Sequence, residues 1–105
     1  MMFEIVAEQA RRDLLDALRD GPLAVGELAE LTGLSQPNTS RHLRILREAG
    51  LVACRPEGQR RLYELRPERL LELDRWLTPY RELWRTSLAD LERHLDATKP
   101  TDEGI

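Results

Sequence analysis

The sequence predicts a mainly α-helical domain with one small β-hairpin, on three observations. Two short helical segments, 25–32 and 35–49, are joined around a glycine. Two strand-like runs, 51–55 and 60–65, follow directly and flank a Pro-Glu-Gly-Gln turn. Apolar stripes at helical spacing bracket this unit on both sides. With 105 residues the chain accommodates one ordinary core. The reading is therefore a single domain over 1–98 with a flexible polar tail, 99–105.

The first helix is expected over Phe3 to Arg19, where Phe3, Val6, Ala7, Ala10, Leu14 and Leu18 share one stripe. Gly21-Pro22 ends it. A short second helix spans Val25 to Thr32, with Leu28, Ala29 and Leu31 as its inner face and Gly33 just beyond. The third helix opens on Ser35 as N-cap, with Leu34 as a hydrophobic staple and Pro37 in the first turn, and Gly50 stops it. A hairpin directly after such a helix, with arginines at its tip, makes a wing, so the architecture reads as a winged helix-turn-helix. From Pro67 to Ala97 the chain is helical again. Leu70, Leu73, Leu77, Tyr80, Trp84, Leu88, Leu91 and Leu95 recur at three- and four-residue steps there. Pro79 predicts a kink, or two helices with Thr78 capping the second.

Composition narrows the function. Hydrophobic residues at 41% and charged residues at 33% describe a globular chain rather than a disordered one. No apolar run approaches the ~20 residues a bilayer requires, and the N-terminus lacks a basic leader, so a cytoplasmic protein without membrane partners is expected. A single cysteine, Cys54, excludes an intrachain disulfide and a Cys-rich metal site; its apolar strand position suggests a core residue. Two histidines leave little material for catalysis. Ser40 and His42, two apart on a helix, face away from each other, so no enzyme and no cofactor are expected.

The net charge of −3 conceals a segregated pattern. Residues 36–61 hold six Arg against two Glu, a net +4, whereas residues 1–35 carry −4 and residues 62–105 carry −3. A local basic patch binds a polyanion even on an acidic chain, because salt screens charges beyond roughly 8 Å. On the third helix Thr39, Leu43 and Leu46 share the core side, His42 flanks it as a packing residue, Pro37, Arg41 and Arg44 face outward, Ser40 lies beside them and Gln36 sits on the boundary. A major groove admits such a helix; Arg reads guanine and Gln reads adenine with paired hydrogen bonds. The helix N-terminus at Ser35 favours a phosphate. With Arg60 and Arg61 on the wing, these residues form the expected contact set for double-stranded DNA.

At this point the sequence resembles the ArsR family of bacterial winged-helix repressors. The resemblance runs from Ala10-Arg11-Arg12-Asp13-Leu14-Leu15 to the wing Glu57-Gly58-Gln59-Arg60-Arg61-Leu62-Tyr63-Glu64-Leu65. It is most specific from Leu34-Ser35-Gln36-Pro37 through Arg47-Glu48-Ala49-Gly50-Leu51-Val52. It implies a homodimer that binds an imperfect palindrome, represses its own operon and lets go when an effector binds. By resemblance Gln36, Ser40 and Arg41 match positions that touch the major groove, and Arg60 and Arg61 match wing positions near the flanking minor groove. Asn38-Thr39 departs from the family pattern of a small hydroxyl residue followed by a β-branched apolar one.

The family's metal sites find poor material here. A Cys-Val-Cys of its arsenical sensors aligns with Ala24-Val25-Gly26, and the last helix offers only Asp90 and His94, short of the four ligands zinc requires. A non-metal-sensing branch fits better, and the Trp76, Tyr80, Trp84 ladder resembles it. Neither terminal helix has enough partner surface within one chain, so a dimer through Phe3, Val6, Leu77, Tyr80, Trp84, Leu88 and Leu91 is expected. A small apolar effector between the terminal helices is a narrower alternative use of the ladder. A winged helix that binds only protein is the competing function.

Overall fold

The computed structural model describes residues 2–98; the expected tail, 99–105, lies outside them. Five α-helices and three strands follow in the order α1 (Met2–Ala7), α2 (Gln9–Ala17), β1 (Leu23–Ala24), α3 (Val25–Thr32), α4 (Gln36–Glu48), β2 (Val52–Glu57), β3 (Arg60–Leu65) and α5 (Leu71–Thr98). Short 3₁₀ turns cover Leu18–Asp20 and Pro67–Leu70. The chain divides into two compact units, Met1–Leu73 and Asp74–Ile105.

The single N-terminal helix expected over Phe3 to Arg19 is two helices. Glu8 breaks it by adopting an extended backbone (φ −77°, ψ 126°). Ending a helix early orphans its last carbonyls, and two arginines of the next helix reach back to them. Arg11 donates to the carbonyls of Glu4 and Ile5, and Arg12 to those of Val6 and Ala7 at 2.7 and 2.9 Å. The apolar stripe runs on across the break, which is why periodicity alone does not register it.

The core of the first unit is mostly leucine. Leu14, Leu28, Leu43, Leu46 and Leu51 are completely buried, joined by Met2, Leu15, Leu18, Val52 and Leu62. Leu31, expected on the inner face of α3, is instead 67% exposed, and Leu28 carries that face. The wing is not an isolated hairpin. β3 lies between β2 and β1, with Leu23 opposite Tyr63 and Ala24 opposite Leu62. Pro56 lies in β2, an edge strand, where a missing N–H costs no ladder bond with a further strand. The turn is tighter than the four residues expected: Glu57 pairs with Arg60, and Gly58 takes φ +63° at the first central position, as a II′ turn requires.

In the second unit α5 continues as one α-helix through Pro79, so the expected split at Thr78 does not occur. Thr78 caps nothing; its Oγ1 donates to the Asp74 carbonyl one turn back, which Arg81 also reaches. Trp76 and Tyr80 stack with ring centroids 4.8 Å apart and a 40° tilt. Trp84, Leu88, Leu91 and Leu95 each leave half or more of their surface exposed. Among the described residues no helix is long and apolar enough to cross a membrane.

Candidate nucleic-acid interface

α3, the connecting turn and α4 set the site. Gly33 closes α3 in the left-handed region (φ +76°), donating its N–H to the Ala29 carbonyl, and so turns the chain within two residues. Ser35 then caps α4, its Oγ accepting from the Asn38 N–H at 3.2 Å. The Thr39 N–H donates to the Ser35 carbonyl at 2.9 Å and Pro37 has no N–H, so what this N-terminus offers an anion is chiefly the positive end of the helix dipole.

α4 has two faces of different chemistry. Thr39, His42, Leu43 and Leu46 are buried. The Thr39 hydroxyl is satisfied by donating to the Ser35 carbonyl at 2.8 Å. Gln36, Pro37, Ser40, Arg41 and Arg44 are exposed, and Pro37, Ser40, Arg41, Arg44, Ile45 and Glu48 line a shallow depression. The Arg44 and Glu48 side chains approach to 3.8 Å, a loose exposed pair that contributes little.

His42 is a packing residue with a side-chain partner. Its Nδ1 accepts from Arg11 Nε at 3.3 Å, which couples α4 to α2. Burial, then the neighbouring Arg41 and Arg11 charges, hold its pKa below the ordinary 6.5, with Glu8 opposing them. The imidazole is thereby kept neutral, the form that has a lone pair to accept with.

The wing arginines are engaged by the protein itself. Arg60 lies 2.7 Å from Glu27 on α3. Arg61 donates to Cys54 Sγ at 3.6 Å, and Arg55 lies 3.8 Å from Glu57 and 3.6 Å from Glu64. Cys54, expected in the core, is only half-buried, opposite Tyr63 across the ladder. Burial, then Cys54, push the Tyr63 phenol above its ordinary 10.0. Glu27 is the functional candidate that sequence reasoning missed. Its position in the first turn of α3 marks it as a capping acid, but nothing local in sequence joins it to Arg60. On α5, the Asp90 carboxylate is taken by Arg93, and among the described residues no three His, Cys, Asp or Glu side chains cluster for a metal.

Comparison with known proteins agrees with this architecture. The family described as "Bacterial regulatory protein, arsR family" matches residues 8–53, which span α2 to the start of β2. The HTH-type transcriptional regulator Rv2034 of Mycobacterium tuberculosis is 44% identical over 80 residues, covering 72% of this chain and 75% of the relative. The crystal structure of a possible transcriptional regulator for arsenical resistance superposes with a TM-score of 0.69 at 39% identity, over 84% of this chain and 93% of that one. The homodimeric winged helix-turn-helix DNA-binding domain of Mb0332 from Mycobacterium bovis, a possible ArsR-family regulator, gives a TM-score of 0.61 at 30% identity, over 75% of this chain and 73% of that one. The chain belongs to the ArsR family of bacterial regulatory proteins and is a winged helix-turn-helix transcriptional regulator.

Proposed function

We propose that the protein acts in the cytoplasm as a homodimer that binds an imperfect palindrome in double-stranded DNA and represses transcription, its own operon included, by occupying the operator. The observation that carries this reading is the division of α4, with Thr39, His42, Leu43 and Leu46 packed inward and Gln36, Ser40, Arg41 and Arg44 exposed. Arginines capture the phosphate backbone, and the two recognition helices read adjacent major grooves about 34 Å apart. Arg41 and Arg44 suit guanine, Gln36 suits adenine, and Ser35 brings the N-terminus of α4 to a phosphate. Arg60 and Arg61 reach the flanking minor groove.

The exposed stripe of α5 supplies the dimer. Trp84, Leu88 and Leu91 are each more than half exposed, Tyr80 is exposed and Leu77 half-buried; a second copy of the same face is self-complementary under a two-fold axis. On α1, Phe3 is 41% exposed and Val6 half-buried, and we assign both to contact with the partner as well. We assign the Trp76–Tyr80–Trp84 ladder to the partner's helices rather than to a small apolar effector, because amphipathic aromatics dominate protein interfaces. With Cys54 as the only thiol, a thiolate metal trio within one chain lacks two of its three ligands, which favours the non-metal-sensing branch.

A mobility-shift titration against the DNA upstream of the protein's own coding region tests the reading. A dimer that neutralises ~7 phosphates loses about 80-fold in affinity when the salt is doubled. A flat salt response removes the electrostatic mechanism. A folded dimer with no affinity for any duplex at low salt assigns the fold to protein binding instead.

A further inference from the structure

The wing arginines differ in what holds them. Arg55 and Arg61 are engaged within the β2–β3 ribbon, whereas Arg60 crosses 33 residues of sequence to α3. Its Nη2 donates to Glu27 Oε1 at 2.7 Å, a charge-assisted distance. The same oxygen accepts the Ala24 N–H at 2.8 Å, the first-turn cap of α3. The carboxylate is therefore pinned by the backbone and cannot swing aside without uncapping the helix. Arg60 also sits beyond the last β1–β3 pair, Ala24 with Leu62, so Glu27 is what meets it on the α3 side of the ribbon.

We propose that Glu27 is an intramolecular counter-anion for the wing, occupying on Arg60 the place a DNA phosphate would take and lowering affinity for every duplex alike. The proposal rests on the reading of the wing as a DNA contact. Two routes are open when a phosphate approaches, and Glu27 opposes both. If Arg60 leaves, a 2.7 Å ion pair is lost and a bare carboxylate remains beside the duplex. If Arg60 stays, it arrives already neutralised, with a second anion close to the phosphate. The side chains are about half exposed, 56% for Arg60 and 48% for Glu27, so the penalty is screened and modest. Because phosphates carry no sequence information, the effect is the same on any sequence.

The test compares Glu27→Gln, Arg60→Ala, the double variant and Glu30→Gln on an operator duplex and a scrambled duplex of equal length at low salt. Gln at position 27 keeps a carbonyl oxygen for the Ala24 N–H, so the cap survives; thermal melts check it. Glu30, exposed on the next turn of α3, reports the effect of removing one negative charge without the Arg60 contact. Glu27→Gln is expected to tighten binding about two- to fivefold on both duplexes. In the Arg60→Ala background that gain falls to the Glu30→Gln level. If Glu27→Gln binds as the wild type or more weakly while Arg60→Ala still weakens binding, the carboxylate positions the arginine instead. The proposal then falls and the DNA-binding reading stands. Arg60→Ala binding as the wild type also overturns it. Wild-type protein that retards neither duplex overturns both readings together.

Discussion

Leucines at three- and four-residue spacing occur both in residues 14–51 and in residues 77–95, and the two sets end in opposite surroundings. Leu14, Leu28, Leu43, Leu46 and Leu51 keep no exposed surface, whereas Leu88 is 61% exposed and Leu95 55%. In the first unit, several short helices and a three-stranded sheet supply one another with apolar faces. Among the described residues the second unit is a stretch of one helix, and a single helix cannot bury its own stripe. Full burial of a leucine contributes roughly 1.5–3 kcal/mol, so the distal stripe represents stabilisation that a second chain would realise. Spacing specifies the helix and its apolar face; it does not specify what covers that face.

The comparison is tested hardest at its buried end. Leu43→Ala is expected to cost about 2–5 kcal/mol in urea unfolding, by loss of transfer energy plus a cavity, and the loss should not depend on protein concentration. Leu88→Ala should lower stability in a concentration-dependent way, because under the proposed dimer its burial would come from association. Equal, concentration-independent losses would erase the distinction between the two regions. Next in size, Trp84→Ala should weaken the dimer by about 2 kcal/mol or more, as an aromatic anchor at the centre of an interface does. Size-exclusion across a dilution series reads this, and an unchanged dimer at all concentrations contradicts it.

Within the first unit the same contrast separates reading from gripping. Arg41→Ala should cost about 1–3 kcal/mol on the operator and relax sequence preference. Arg60→Ala should weaken all duplexes to a smaller and equal extent, since Glu27 already neutralises part of its charge. Superimposable specificity profiles for the two variants would refute that division. The smallest effect is on pH. The His42 pKa is lowered in the fold, by burial first and then by Arg41 and Arg11. Between the folded and unfolded pKa values the unfolded chain holds more protons. Stability therefore drops as pH falls below about 6.5 and levels off below the folded pKa. His42→Asn, which keeps an acceptor for Arg11, should show a shallower loss between about pH 7.5 and about pH 5.5; a steeper one contradicts the assignment.

Much of the architecture is legible because it is local. The Ser35 cap, the Gly33 turn and the two-faced pattern of Thr39, Leu43 and Leu46 against Arg41 and Arg44 are all set within α4 and its entry. What escapes the sequence lies in contacts and exceptions that periodicity does not register. The break at Glu8 needs the Arg11 and Arg12 guanidiniums to replace lost helix bonds. β1 is two residues long, too short for any alternation, and exists through its pairing with Tyr63 and Leu62. α5 survives Pro79 because a proline removes one backbone donor, and one missing bond does not end a helix of 28 residues. Leu31 illustrates the limit of a short stripe: on an eight-residue helix, Leu28 suffices for the core and its neighbour three residues on turns to solvent.

Sedimentation equilibrium of the unmodified protein at micromolar concentration tests most directly whether the distal stripe is a joint between two copies. The expected result is a single species at twice the 12.2 kDa chain mass, dissociating on dilution. A stable species at 12.2 kDa across the concentration range would leave the two recognition helices unpaired and contradict the account.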